Sequence, residues 1–219
     1  MTAAPDASTA ELRAAVVLAL QRAVDSLEGG YAALLRDQLR NTEVDASLYG
    51  PSVFCLGLGR LITGTEDLAL PAATALGLLE EMARVFVDLE AAGSDLVSSW
   101  GMPRSLNAGD AFYAAAQRVL LDDQGLAPPR RLRALGVLSA ASRTFAEALH
   151  AWGPGGRDGV ARASRALYPA AAALAALCCD LDADLTARLA AIAEDLASQP
   201  AATLEGALQK AAALNLRKT

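Results

Sequence analysis

Few side chains in this sequence could carry chemistry. His150 is the sole histidine, so a multi-histidine metal site cannot form and a Ser–His–acid relay would rest on one ring. It falls near the C-terminus of an expected helix, where a partly positive imidazole is favoured; a general base is the alternative. Asp122-Asp123 pairs two carboxylates but falls where a helix ends, and reads as a solvated cap or turn. Asp180, Asp182 and Asp184 make a dense acidic turn, without the central Gly and terminal Glu of a calcium loop. Arg130, Arg131 and Arg133 follow Pro128-Pro129 and read as a solvated first turn rather than an anion site. Gly153-Pro154-Gly155-Gly156 is the strongest break in the chain. It lacks the GxxxxGK[ST] pattern after a strand, so it reads as a helix–helix turn and not a phosphate loop. Cys55, Cys178 and Cys179 make no disulfide framework and read as small buried hydrophobes with reduced thiols in a cytoplasmic protein.

The elements that must position these groups are helical. Residues 1–10 are small and polar and read as a flexible N-terminus, with a single helical domain over 11–219. Ser8 or Thr9 with Glu11 forms a capping-box start, and Leu12, Val16, Ala19, Leu20, Ala23 and Leu27 recur at helical spacing. Gly29-Gly30 interrupts, and Tyr31 to Leu39 resumes. Pro51, Pro71, Pro103 and Pro128-Pro129 each open a further helix. Gly93 to Gly101 reads as a short connection. Further helices are expected over 158–179, 182–197 and 201–216, about eight in all.

The 219 residues fit one domain with a sizeable core. Ala and Leu favour helix, and the scarcity of aromatics, at 5%, argues against a sheet. A formal charge of -6 excludes nucleic acid as a natural partner. Mean hydropathy is +0.28, suiting a buried all-α core or a broad apolar partner surface. No apolar run reaches the ~20 residues that span a bilayer, and the N-terminus has no basic and apolar regions of a secretory signal.

Residues 68 to 116 read LALPAATALGLLEEMARVFVDLEAAGSDLVSSWGMPRSLNAGDAFYAAA. This stretch resembles the central helices of the trans-polyprenyl diphosphate synthases, where an ALPAA-type helix runs into an HDDxxD metal motif, a basic RRGxPT loop and a WG…NAGD helix. Residues 51 to 58 and 164 to 197 are similar to further helices of that family, in order, so the resemblance covers roughly 45 to 197. It implies an all-α isoprenoid-synthase fold, shortened at the C-terminus, and pairing through helices.

The resemblance also implies chemistry that this sequence lacks. The family clamps a diphosphate with Mg²⁺ held by Asp clusters, and with Lys and Arg. Position by position, the first motif reads Phe86-Val87-Asp88-Leu89-Glu90-Ala91. Its leading Asp becomes Val87, Asp88 remains, Glu90 is displaced, and Ala91 replaces the last Asp. The basic loop is deleted. GGKRxRP falls on residues 45–51, DASLYGP, without a base. The KT pair falls on Ala163-Ser164, with Arg162 or Arg165 as a substitute cation. After Leu196-Ala197 the second Asp cluster is absent. The remaining acids are Asp88, Glu90 and Asp110, the last a helix-packing residue. No Mg²⁺ or other cofactor is expected, and Phe86, Val87 and Leu89 are expected to line an apolar cavity.

The leading reading is a non-catalytic subunit or binder in isoprenoid biosynthesis. Its partners would be a prenyl or terpenoid chain, and a second copy of itself in a homodimer or an active prenyl synthase in a heterodimer. The alternatives are a terpenoid cyclase or isomerase that works without metal–diphosphate ionisation, needing an acid or base in the cavity, and a purely structural bundle.

Overall fold

The computed structural model describes residues 8–41, 48–90, 95–152, 156–199, 202–214 and 216. Eleven α-helices and one 3-10 turn are found among them, and no strand. In chain order these are α1 (Thr9–Asp25), α2 (Gly30–Asn41), α3 (Gly50–Thr63), α4 (Leu70–Glu90), α5 (Asp95–Trp100), α6 (Met102–Asp122), α7 (Pro128–Trp152), α8 (Gly156–Ser164), the 3-10 turn (Arg165–Leu167), α9 (Tyr168–Cys178), α10 (Ala183–Ser198) and α11 (Leu204–Ala212).

Local chemistry sets the helix ends. Ser8 and Glu11 form the expected reciprocal capping box at α1. Asp182 caps α10 and Thr203 caps α11 through their side-chain oxygens. Gly64 ends α3 at φ 83° and Gly101 starts α6 at φ 78°, a backbone region that disfavours other residues. The helix count exceeds the eight expected. Asp95–Trp100 is helical rather than a plain connection. The continuous helix expected over 158–179 is broken by the 3-10 turn, because Pro169 has no N–H to donate and its ring disfavours the preceding helical turn. The Gly153–Gly155 break lies outside the described residues.

Helices α3 and α4 form the centre. Every residue from Gly50 to Gly59 is buried, so α3 is apolar on all faces and is enclosed by α9, α4, α1 and α11. Its small residues allow close approach: a Cβ at Gly59 would lie 2.3 Å from the Ala69 Cβ, at the foot of α4. Helix α4 packs most extensively on α6. There α6 presents Ala108, Gly109, Phe112, Ala115, Ala116 and Leu120 at helical spacing and exposes its other side. Among the described residues, no helix is long and apolar enough to cross a membrane.

Candidate functional site

The middle of α4 carries the most unusual chemistry in the molecule. Glu80 and Glu81 are 1% and 0% exposed, on a helix otherwise flanked by Leu and Ala. Acids are rarely buried so completely without a partner. Arg84, one turn on, pairs with both: Nη1 donates to Glu81 Oε1, and Nη2 lies 3.6 Å from Glu80 Oε2. The helix brings them together because i,i+3 and i,i+4 positions share a face.

Two other elements close on this face. Tyr49, at the start of α3, donates its hydroxyl to Glu81 Oε1 and lays its ring 4.8 Å from the Arg84 guanidinium carbon. Tyr49 holds a left-handed φ of 58°, which costs a side-chain-bearing residue roughly 1–2 kcal/mol and is sustained by these contacts. Ser164, at the end of α8, donates Oγ to Glu80 Oε2 at 3.2 Å. Glu80 Oε1 and Arg84 Nη2 have no hydrogen-bond partner.

The charges do not balance if both acids ionise. Burial pushes the Glu80 carboxyl up to about 7, against the pull of Arg84 and the Ser164 hydroxyl. Burial pulls Arg84 down, but Glu81 and Glu80 together carry it up. Burial and then Glu81 raise Tyr49, while burial and then Glu80 raise Tyr168 to about 12. The cluster therefore holds one firm cation and two carboxyls, of which Glu80 keeps its proton up to about neutrality.

The residues singled out from sequence fall around this cluster. Val87 continues the Glu80–Arg84 face, and Asp88 lies two turns beyond Glu81 on theirs. Phe86, Val87 and Leu89 are half-buried against the core. Phe86 presses its ring onto Gly109 of α6, where a Cβ would meet it at 2.7 Å. The Glu90 side chain and Ala91 lie outside the described residues. Asp110 is exposed on α6, so it does not pack helices as expected; its buried neighbours Ala108 and Gly109 do. Asn107 bonds the Tyr31 hydroxyl at 2.8 Å.

Arg165 is committed elsewhere: its guanidinium donates to the Leu196, Ala197 and Gln199 carbonyls and closes the C-terminus of α10. Arg162 and His150 are exposed. Asp122 pairs with Arg118 and Asp123 accepts the Gly125 N–H, a solvated turn as read from sequence. Arg130 pairs with Asp180, and Arg131 donates to the Leu126 and Leu121 carbonyls. Cys55, Cys178 and Cys179 are buried and in no disulfide, and burial raises Cys55 and Cys178. Among the described residues, no group of three His, Cys, Asp or Glu is arranged to hold a metal ion. A cavity of about 310 Å³ lies between α10 and α11, lined by Ile192, Leu196, Thr203, Ala207, Asp195 and Lys210 among others, and by no residue of α4.

Sequence reading missed the Glu80–Glu81–Arg84 cluster. In sequence its two acids and one base at one-turn spacing read as an ordinary solvated helix face.

The architecture is the helical fold of the isoprenoid diphosphate synthases. The geranylgeranyl pyrophosphate synthetase of Geoglobus acetivorans superposes with a TM-score of 0.64 at 18% identity, over 84% of this chain and 65% of that one. A polyprenyl synthetase of Streptomyces coelicolor gives 0.65 at 19%, over 85% and 60%. An FPP/GFPP synthase of Zymomonas mobilis, in its apo structure, gives 0.65 at 16%, over 94% and 89%. The chain thus spans less than two thirds of the first two. No protein-family model matches the sequence, and no curated protein matches it.

Proposed function

We propose that this chain is a non-catalytic isoprenoid-synthase-like protein of the cytoplasm. In this reading it binds an active prenyl synthase as a subunit, or a neutral prenyl or terpenoid chain, and does not transfer prenyl groups. The observation that carries the reading is the α4 cluster. Tyr49, Ser164 and the Val87–Asp88 turn lie in three segments that the family resemblance assigns to holding Mg²⁺ and diphosphate. Here Tyr49 and Ser164 meet on α4 through a buried network in which Arg84 is engaged by Glu81 and Glu80.

Two further features support it. Position 50, where the resemblance places an Arg, is a Gly whose Cβ would lie 2.4 Å from the Tyr168 hydroxyl, so a long cationic side chain has no exit there. The described donors also do not fit Mg²⁺: Val87 cannot ligate, and no three-carboxylate group surrounds Asp88. For the subunit form of the reading, α6 offers exposed Met102, Leu106 and Leu121, with Tyr31 of α2 beside Asn107.

The test is incubation of the purified chain with Mg²⁺, an allylic prenyl diphosphate and isopentenyl diphosphate, alone and with an active trans-prenyl synthase from the same host. No elongation alone, with a heteromer by native mass spectrometry or a co-extracted isoprenoid, is the expected result. Metal-dependent elongation by the chain alone would overturn the reading.

A further inference from the structure

Two buried carboxyls facing one guanidinium form an electrostatic device whose state depends on a proton. With Glu81 paired to Arg84 and Tyr49, the Glu80 carboxyl decides whether the cluster carries a further negative charge beside its single cation. Its Oε1 has no partner, and its contact with Arg84 is 3.6 Å, outside good hydrogen-bond range. We propose that Glu80 is a proton-operated latch: protonated, it keeps α8 closed on α4, and ionised, it releases α8 so that water reaches the carboxylate.

The groups facing Glu80 from each neighbouring element are few. On α4 they are Glu81 and Arg84, at the start of α3 the Tyr49 backbone N–H, and on α8 the Ser164 hydroxyl; the last two favour the ionised carboxylate but are outweighed by burial. On α9, Tyr168 keeps its proton throughout, held by burial and by Glu80 itself. Arg165, between α8 and α9, turns its guanidinium to the end of α10. Arg13 of α1 donates to the Leu48 carbonyl. Arg84 is therefore the cation that answers Glu80, and it is shared.

An unbalanced buried charge is relieved most cheaply by hydration, through the smallest element that covers it. Helix α8 has nine residues, is joined to α9 by a single 3-10 turn, and ends on Ser164. The position of Glu80 near 7 places the transition around neutrality. The sign follows from a raised carboxyl: closure is strongest below the ordinary value of 4.5 and weakens as pH rises through about 7. This latch does not depend on the function proposed above.

The experiment is hydrogen exchange on the full chain at pH 6 and pH 8.5, corrected for intrinsic rates, comparing wild type with Glu80→Gln. Moving Glu80 from 4.5 in the open form to about 7 in the closed form predicts about a tenfold rise in opening of α8 across that interval. Glu80→Gln, which cannot ionise, should show none. An equal pH response in both proteins, or a flat one in wild type, would overturn the latch. If Glu80→Gln does not fold, infrared titration of wild type decides: the expected protonated-carboxyl band fades around pH 7, and its absence at pH 6 refutes the proposal.

Discussion

Replacing Arg84 by Met tests whether the α4 cluster is held by its one cation. The substitution keeps a long flexible side chain but takes the guanidinium from the fully buried Glu81, where the Tyr49 hydroxyl remains, and removes the ion pair from Glu80. Removing one partner of a buried pair costs roughly 3–5 kcal/mol, because the other charge is stranded. Against a typical total of about 5–15 kcal/mol this is a large fraction. At about 2–4 °C per kcal/mol for a chain of this size, the melting temperature should fall by about 6–20 °C. Urea unfolding at pH 7.5 reads the loss, with an unchanged m-value confirming a two-state comparison. The loss should shrink at pH 5, because without Arg84 the carboxyls hold their protons more tightly in the folded state. Arg84→Met with Glu81→Gln should recover most of it, since a neutral amide needs no counter-charge. A loss below about 1 kcal/mol, or a double variant no more stable than the single one, would refute the claim that charge compensation organises this site.

Other consequences can be measured separately. Gly59→Ala should cost about 1–3 kcal/mol in urea unfolding, because its Cβ meets the rigid Ala69 Cβ at 2.3 Å and α3 must back away from α4; added Ala69→Gly should restore part of that, and no restoration would argue against the contact. Arg165→Met should destabilise by about 1–3 kcal/mol and speed amide exchange at Gln199 and Ala202, since three carbonyls lose their donor; unchanged exchange there would show that the cap is dispensable. The chain alone should give no prenyl elongation with Mg²⁺, as set out above, and Glu80→Gln should abolish the pH response of α8.

The all-helical class, the capping box at Ser8 and Glu11, and the proline-opened helices were legible in the sequence because each depends on neighbours within about one helical turn. The order of the ALPAA-type and WG…NAGD segments was enough to point to the fold found in the structural comparison. Boundaries were less legible: the break before Tyr168 depends on Pro169 within an otherwise helix-rich run. The role of Asp110 could not be read at all, since one step around α6 separates the exposed Asp110 from the buried Gly109. The α4 cluster belongs wholly to tertiary structure. Glu80, Glu81 and Arg84 look in sequence like an ordinary charged helix face. Only the packing of α3 and α8 onto that face removes water from it, and with water gone the same three charges become a network whose balance turns on one proton.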